Sequence, residues 1–354
     1  MSIRKKIKIL FLRSGLYGFL FAAINAFRKI KEKFSHLSLF FSARAKKSQK
    51  NYASSVLPES LNFQVTNICN ADCIFCGYRS TLKEKKGFMN FATFKKSLDE
   101  YVSLGGKKIV FAPVYGDSLL DPDLINKIKY ASGLKEINHV GLITNGIALA
   151  KNDIYKSLID GNISNISISL ADFDEESYKE VYRVNAYGEL MRGIEFLLKY
   201  HAGQKSSTNI TFHLRSPRRV KQIVKSEDFT KYIKPYLNDR IDIQFMYSYD
   251  NWGGLITNKD LKGLMKLKKI PKLKKIPCDK LFDFCILFDG NVRLCACRAK
   301  GTQLDDLIIG NIHKENLTIM LKKAADIRLK FTENDLPQVC RDCSFYTAER
   351  KTLK

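Results

Sequence analysis

Short apolar runs alternate with amphipathic stretches through the middle of the chain. The runs predict strands at residues 61–66, 108–113, 139–144, 165–170, 209–215 and 241–247. The stretches between them repeat apolar residues at helical spacing, and one opens with Asp121 and Pro122, as helices often do. Strands that alternate with helices favour a parallel sheet, which right-handed crossovers curl into an open or partial barrel. The predicted fold class is therefore α/β.

A basic, amphipathic arm at residues 1–57 precedes these strands. Much of the net charge of +24 lies in residues 1–50, which hold thirteen Lys and Arg residues and one acid, Glu32. The uncharged run at residues 14–27 is shorter than the roughly twenty residues that a membrane-spanning helix needs. Apolar residues of the arm recur at helical spacing, at Leu16, Phe19, Leu20, Ala23, Phe27, Ile30, Phe34 and Leu37.

Several interpretations of this arm stay open. The basic residues beside the stripe suit a helix lying on an anionic membrane surface. A helix packed on the protein's own core would show the same stripe, and a signal peptide would also start basic and continue apolar. Clustered cysteines argue against export, so we expect a cytoplasmic protein, with peripheral contact at the inner membrane face through residues 1–50 as an open alternative. No nucleic-acid-binding motif accompanies the charge, so no specific nucleic-acid partner is expected.

The nine cysteines are clustered, which indicates metal ligation rather than a disulfide framework. Three of them, Cys69, Cys73 and Cys76, follow the first predicted strand, where parallel-sheet proteins bind ligands. Thiolates select zinc, copper(I) or iron–sulfur clusters, and three ligands leave one coordination position open. Buried structural thiols, or a zinc site completed from elsewhere in the chain, are the alternatives.

The stretch "CNADCIFC" resembles the C-x3-C-x2-C motif of radical S-adenosylmethionine (radical SAM) enzymes, in which an aromatic residue such as Phe75 is typical. The resemblance covers residues 61–247 and implies a partial (β/α)6, TIM-like barrel. It also implies that the three thiolates hold a [4Fe–4S] cluster whose fourth iron binds S-adenosylmethionine. One electron, from a donor such as flavodoxin or ferredoxin, then yields a 5′-deoxyadenosyl radical.

The same resemblance implies cofactor-binding residues further along the chain. "VYGDSLLDP" occupies the place of the family's Gly-Gly-Glu-Pro segment; it keeps Gly116 and has the shorter acid Asp117. "LITNG" resembles the third-strand signature and contributes Asn145. In "ISISLADFDEESYKEVYRVN", Ser169 matches a serine that contacts the cofactor, and Arg183 matches an arginine that pairs with its carboxylate.

The tail carries a second set of cysteines. Its spacing, Cys278, Gly290, Cys295 and then the C-x2-C pair Cys340 and Cys343, resembles the twitch and SPASM extensions of some radical SAM enzymes. The resemblance implies one further [4Fe–4S] cluster with four protein ligands, and a hairpin that turns at Asp289 and Gly290. Cys285 and Cys297 stay unassigned: packed thiols are the preferred interpretation, and replacement of Cys278 or Cys295 by one of them is the alternative. A structural zinc site is the rival explanation of the tail.

These features predict four regions: the arm at 1–57, a radical SAM core at 58–255, a lysine-rich connector at 256–276 that is partly helical at 259–267, and an auxiliary cluster domain at 277–354. The leading hypothesis is a radical SAM oxidoreductase that acts on a sugar, cyclitol or nucleotide-sugar. An anionic or lipid-linked sugar is one form of this substrate. The catalytic base is not identified, and the candidates for substrate contact after the sixth strand are Tyr247, Asp250, Asn251 and Trp252.

Two alternatives stay beside this hypothesis. Peptide or protein modification is common among enzymes with a SPASM extension, although those usually carry a second auxiliary cluster. From a different class, the chain would be a non-catalytic iron–sulfur or zinc protein associated with the membrane.

Overall fold

The computed structural model describes residues 3–14, 56–296 and 305–348. Its main feature is a nine-stranded sheet in the order β11-β10-β9-β1-β2-β3-β4-β5-β6. The strands of this sheet are β1 Leu61–Phe63, β2 Lys108–Phe111, β3 His139–Thr144, β4 Asn165–Leu170, β5 Asn209–Leu214, β6 Ile241–Phe245, β9 Phe284–Ile286, β10 Asn291–Leu294 and β11 Ile308–Asn311. A separate two-stranded ribbon pairs β7 Ser248–Tyr249 with β8 Lys266–Leu267.

Strands β1 to β6 run parallel and in chain order, as the alternating pattern predicts. This confirms the partial barrel. The predicted bounds of β3 and β4 agree with the structure, whereas β1 is shorter than predicted because the chain leaves the sheet after Phe63. Helices connect the strands and flank the tail: α1 Ile3–Ser14, α2 Phe91–Ser103, α3 Leu124–Gly133, α4 Ile154–Asp160, α5 Glu175–Tyr182, α6 Tyr187–Gly203, α7 Val220–Ile223, α8 Leu317–Thr332 and α9 Gln338–Asp342.

The cysteine-rich tail extends the barrel's own sheet. Strand β9 pairs in parallel with β1, and β10 returns antiparallel to β9. The predicted turn at Asp289 and Gly290 is confirmed, and Gly290 adopts a φ of +85°, a conformation that favours glycine. Because one continuous sheet carries both regions, the tail cysteines are held at a set position beside the first strand of the barrel.

The predicted helix at residues 259–267 is wrong. This part of the connector forms turns and then strand β8. Lys262 and Gly263 have φ values of +50° and +74°, which a right-handed helix cannot accommodate. The glycine in the middle of the segment therefore ends any helical turn.

Helix α1 contacts the barrel through an ion pair between Lys8 and Asp242 of β6, at 2.5 Å. The apolar stripe from Leu16 to Leu37 lies outside the described residues, so the interpretation of the arm stays a prediction. Among the residues that the structure describes, no helix has the length and mean hydropathy needed to cross a membrane.

Candidate functional site

The three-cysteine loop lies directly after β1 and is held by the end of helix α5. Backbone N–H groups of Asp72 and Ile74 donate to the carbonyls of Tyr182 and Val181, at 3.1 and 3.0 Å. Next to them, the Arg183 guanidinium forms an ion pair with the Asp72 carboxylate. The loop backbone is therefore fixed by the chain that follows β4.

The Cys69, Cys73 and Cys76 side chains line one large cavity of about 1560 Å³ that runs along the inner face of the barrel. The carboxyl ends of β2, β3 and β4 contribute to its wall, as expected for a parallel sheet. Five of the six residues matched to cofactor binding line this cavity: Phe75, Gly116, Asp117, Asn145 and Ser169.

Gly116 brings the loop after β2 against the cysteine loop. It has a φ of +105°, and a Cβ atom there would lie 2.5 Å from the carbonyl oxygen of Thr66. The next residue, Asp117, donates its backbone N–H to the Ile68 carbonyl at 2.8 Å. A side chain at position 116 would therefore push the two loops apart.

The Asp117 carboxylate ties β2 to the end of β3. It accepts hydrogen bonds from the Thr144 hydroxyl at 2.9 Å and from the backbone N–H of Asn145 at 2.6 Å. Burial raises the pKa of Asp117 to about 6, against the lowering effect of these hydrogen bonds. This shorter acid thus holds the neighbouring strand as well as facing the cavity.

Asn145 connects the end of β3 to the cysteine loop. Its side-chain amide donates to Asn70 Oδ1 at 2.7 Å and lies 3.9 Å from the Cys69 sulfur. The "TNG" signature is thereby placed beside the first of the three thiols.

Two arginines differ from the sequence expectation. Arg183 does not line the cavity; its guanidinium is paired with Asp72 in the cysteine loop. Arg215, at the end of β5, does line the cavity and lies over the Phe75 ring, 5.3 Å from its centroid. Arg215 was missed by the sequence reasoning, although its place at the end of a predicted strand was a usable signal.

Burial strongly disfavours the ionised form of the three-cysteine site. It raises the pKa of Cys69 to about 12, and burial together with the charges of Cys76 and Cys69 raises the pKa of Cys73 well above its usual range. Thiolates placed together in such surroundings need a bound cationic group, and thiolate donors are those that iron–sulfur clusters take. The donor set therefore fits a cluster. In the described ranges, no three His, Cys, Asp or Glu side chains stand at the spacing of ligands to one metal ion.

The second cysteine site is a small pocket lined mainly by apolar side chains. It is lined by the four tail cysteines that the spacing selects: Cys278, Cys295, Cys340 and Cys343. Backbone N–H groups point at two of these sulfurs, from Phe345 to Cys343 at 3.3 Å and from Thr347 to Cys278 at 3.5 Å. Burial raises the pKa of Cys278 and of Cys340, so this site also favours a bound cationic group.

Cys285 does not line this pocket. It is fully buried in β9, where it packs in the sheet, in agreement with the preferred interpretation of an unassigned thiol. Cys297 lies outside the described residues.

A lysine of the connector holds the C-x2-C loop. The Lys274 ammonium donates to the carbonyl oxygens of Cys340, Arg341 and Cys343, at 2.6, 3.0 and 2.7 Å. Burial lowers the pKa of Lys274, and the charges of Cys343, Cys340 and Cys278 oppose this. Sequence reasoning missed Lys274 because it stands in a run of otherwise exposed lysines.

The "YSYDNWGG" segment joins the two cysteine sites. Tyr247, Asp250 and Trp252 line the large cavity, but Asn251 does not. The Asn251 side chain donates to the Asp342 carbonyl at 2.6 Å and accepts from the backbone N–H of Ser344 at 2.9 Å. Contact of Asn251 with a substrate stays a prediction, and in the structure its side-chain amide is engaged with the C-x2-C loop.

The residues after Asn251 pack closely against the cysteine loop on one side and the tail on the other. The Trp252 indole packs on Gly77, directly after Cys76, where a Cβ atom would lie 2.3 Å from the ring. A Cβ atom on Gly253 would lie 2.7 Å from the Val339 side chain, in helix α9. Gly253 and Gly254 have positive φ values, +65° and +101°, which favour glycine. The segment thus forms a tight joint between the barrel loop and the tail.

The large cavity and the four-cysteine pocket share a wall. Lys280 and Phe345 line both of them. Phe345 follows Cys343 by two residues, and the Lys268 ammonium lies 5.7 Å from the centroid of its ring. The cavity and the tail pocket therefore border on the same two side chains.

Comparison with protein families and curated proteins agrees with this arrangement. Residues 63–225 match the model of the radical SAM superfamily, and residues 278–344 match an iron–sulfur cluster-binding domain of the SPASM type. The GTP 3′,8-cyclase of Actinobacillus succinogenes is 25% identical over 138 residues, 38% of this chain and 40% of the relative. The enzyme of the same name from Clostridium perfringens strain 13 is 27% identical over 153 residues, 42% of this chain and 46% of the relative. The matches thus span less than half of each curated relative.

Solved structures share the fold at low sequence identity. BtrN in complex with AdoMet and 2-DOIA has a TM-score of 0.53 at 17% identity and covers 81% of this chain and 93% of that chain. Streptococcus suis SuiB bound to the precursor peptide SuiA has a TM-score of 0.54 at 14% identity, with coverages of 78% and 68%. At these identities the likeness shows the fold alone.

Proposed function

This chain belongs to the radical SAM superfamily and carries a C-terminal iron–sulfur cluster-binding domain, and from this premise we propose that it is an oxidoreductase of a sugar, cyclitol or nucleotide-sugar. Both domains imply [4Fe–4S] clusters and S-adenosylmethionine as cofactors. We further propose that the chain is divided at the predicted boundaries, with the core at 58–255 and the auxiliary cluster domain at 277–354.

We assign the S-adenosylmethionine cluster to Cys69, Cys73 and Cys76, and the auxiliary cluster to Cys278, Cys295, Cys340 and Cys343. The first set lines a large cavity, and the second lines a small pocket with four thiols. Three protein ligands leave a position for the cofactor, whereas four leave none.

When bound, the cluster and S-adenosylmethionine supply a 5′-deoxyadenosyl radical that takes a hydrogen atom from a substrate carbon. The residues of the chain bind the cofactor and the substrate and orient them. We propose that Arg215, rather than Arg183, pairs with the cofactor's carboxylate, because only Arg215 lines the cavity. The rings of Tyr182 and Tyr249 contact Phe75, at 5.7 and 5.1 Å between centroids, and this aromatic wall limits water at the cysteine loop.

The observation that carries the oxidoreductase proposal is the wall shared by the two sites at Lys280 and Phe345. Removal of a hydrogen atom from a carbinol carbon leaves a carbon radical. Loss of one further electron and of the hydroxyl proton gives a ketone. The tail pocket borders the cavity, which supports transfer of that electron to the tail site, and Tyr247 and Asp250 are cavity-lining candidates for accepting or relaying the proton.

The cavity wall suits a substrate with many hydroxyl groups. Inward-facing polar side chains run along the barrel strands, and Lys266 and Lys268 at the cavity's edge suit an anionic group such as a phosphate. The polar side chains are His139 on β3, His213 on β5, and Asp242 and Gln244 on β6. BtrN, a structure of similar fold, binds 2-DOIA together with AdoMet.

Peptide modification is the second candidate. The cavity is larger than the roughly 300–1,000 Å³ of a typical small-molecule site. SuiB, which shares the fold, binds a precursor peptide. In either case we expect an electron donor such as flavodoxin or ferredoxin as a partner.

Anaerobic reconstitution tests the proposal. The protein is loaded with iron and sulfide, reduced, and supplied with S-adenosylmethionine and a panel of cyclitols, amino-cyclitols and nucleotide-sugars deuterated at their carbinol carbons. We expect deuterium in 5′-deoxyadenosine and a product that has lost two hydrogen atoms. Label transfer from a peptide panel alone would favour the second candidate. Zinc without iron in the purified protein would exclude both.

A further inference from the structure

Lys274 is buried within a run of exposed lysines. It is 5% exposed, whereas Lys272 and Lys275 on either side are exposed. Burying an ammonium is costly unless each of its three N–H groups is satisfied. Here all three find carbonyl partners, those of Cys340, Arg341 and Cys343.

These three carbonyls belong to one short loop. Cys340 and Cys343 are the C-x2-C pair, and the loop lines the four-cysteine pocket. A single ammonium thus binds the backbone of both cysteines and of one of the two residues between them. The Lys274 ammonium also lies 5.9 Å from the centroid of the Tyr346 ring, which lines the same pocket.

The positive charge of Lys274 lies beside the cysteine site, and its hydrogen-bond partners do not neutralise it. Carbonyl oxygens are neutral, so the hydrogen bonds position the charge but do not cancel it. A fixed positive charge beside an iron–sulfur cluster stabilises the reduced, more negative form of the cluster. Groups outside the ligand set are known to orient ligands and tune metal sites in this way.

We propose that Lys274 is a positioning residue of the auxiliary cluster, which holds the C-x2-C loop and raises the reduction potential of the cluster. This rests on the proposed assignment of the tail cysteines to a cluster. A higher potential makes the auxiliary site a better electron acceptor for a substrate radical.

The test isolates the tail site. In a chain with Cys69, Cys73 and Cys76 replaced by alanine, iron is counted and the cluster potential is measured by a redox titration followed by electron paramagnetic resonance. Lys274→Met is compared with Lys275→Met, a matched change at the exposed neighbour. We expect Lys274→Met to lower the equilibrium constant for one-electron reduction about tenfold, which is about 59 mV. Lys275→Met should leave it unchanged.

A third variant covers the case in which Lys274→Met fails to hold iron. Lys274→Arg keeps the charge and the donors, so restored iron binding in that variant supports the proposal. Full iron and an unchanged potential in Lys274→Met would overturn it. So would equal iron loss from both sites when Lys274→Met is made in the chain with all cysteines, since that indicates general destabilisation. Absence of iron from the tail of the parent chain would instead refute the cluster assignment itself.

Discussion

The two cysteine sites differ in how completely the chain surrounds them. Cys69, Cys73 and Cys76 line a cavity of about 1560 Å³, whereas the four tail cysteines line a small pocket walled by apolar side chains. Residues around the first site hold neighbouring loops together at the cavity wall, as Gly116 and Asp117 do. Residues around the second, such as Lys274 and Asn251, hold its loop in place. Under the proposed function, the same ligand type serves cofactor binding in one place and acceptance of an electron in the other.

The largest expected effect comes from removing a thiol of the open site. We predict that Cys73→Ala abolishes formation of 5′-deoxyadenosine and leaves about four of about eight iron atoms per chain, since each cluster holds four. Iron analysis and chromatography of the nucleoside products measure this. Cys285→Ala is the control, since that thiol lines neither cysteine site, and it should keep both clusters. Retained cleavage of S-adenosylmethionine in Cys73→Ala would show that the three-cysteine site is not the one that cleaves the cofactor.

Removing a thiol of the tail site should separate cleavage of S-adenosylmethionine from oxidation of the substrate. We predict that Cys340→Ala keeps cleavage of S-adenosylmethionine but loses the tail iron and the oxidised product, because the electron acceptor is gone. Nucleoside and substrate products are measured in the same reaction. If substrate oxidation continues at the original rate, the tail site does not accept the electron.

The two arginines sharpen the description of the open site. We predict that Arg215→Met weakens S-adenosylmethionine binding roughly tenfold or more, as expected when a hydrogen bond to a charged group is lost. Arg183→Met should weaken it less, because Arg183 pairs with Asp72 and acts through the loop. Equilibrium binding to the reconstituted protein tests both. The opposite ranking would favour the role that the sequence resemblance implied for Arg183.

The segment at residues 247–254, which joins the barrel loop to the tail, should contribute to the free energy of unfolding rather than to cofactor binding. Asn251→Ala leaves the buried carbonyl of Asp342 and the N–H of Ser344 without this partner, at a cost of about 1–3 kcal/mol for each group. We predict a lower midpoint of urea unfolding and a weaker hold on the tail iron. Asn126→Ala, which removes an exposed side-chain hydrogen bond to Asp123, should change neither. A wild-type midpoint in Asn251→Ala would contradict this.

The smallest predicted effect is on the pH dependence of the free energy of unfolding, and it involves a residue that lines the large cavity. Burial, with the charge of Arg215, lowers the pKa of His213 to about 4 from its usual 6.5. The unfolded chain therefore binds this proton more readily, and the stability present above pH 6.5 is lost as the pH falls toward 4. We predict that His213→Asn makes urea unfolding of the protein less pH-dependent across that window. An unchanged slope would indicate that His213 is more hydrated than its place in the barrel implies.

Much of the fold follows from local patterns. Strands β3 and β4 were predicted to the residue, because β3 is a short apolar run and β4 alternates apolar and polar residues. The hairpin turn at Asp289 and Gly290 was also predicted, because glycine relieves the strain of that conformation. The helix predicted at 259–267 is wrong, since the spacing there resembles that of a helix but Gly263 has a positive φ that ends any helical turn.

By itself, the sequence determined which chemistry the chain can support. The spacing of the three cysteines within one loop, and of the four in the tail, is a local covalent property. Only the tertiary structure decided which charges face these sites. Arg215 enters the cavity while Arg183 pairs with Asp72, and Lys274 is buried while Lys275 is exposed, although neighbours in the chain look alike. The physical reason is that burial and charge pairing depend on contacts between distant segments, such as those of Lys274 and Cys340, which are 66 positions apart in the chain.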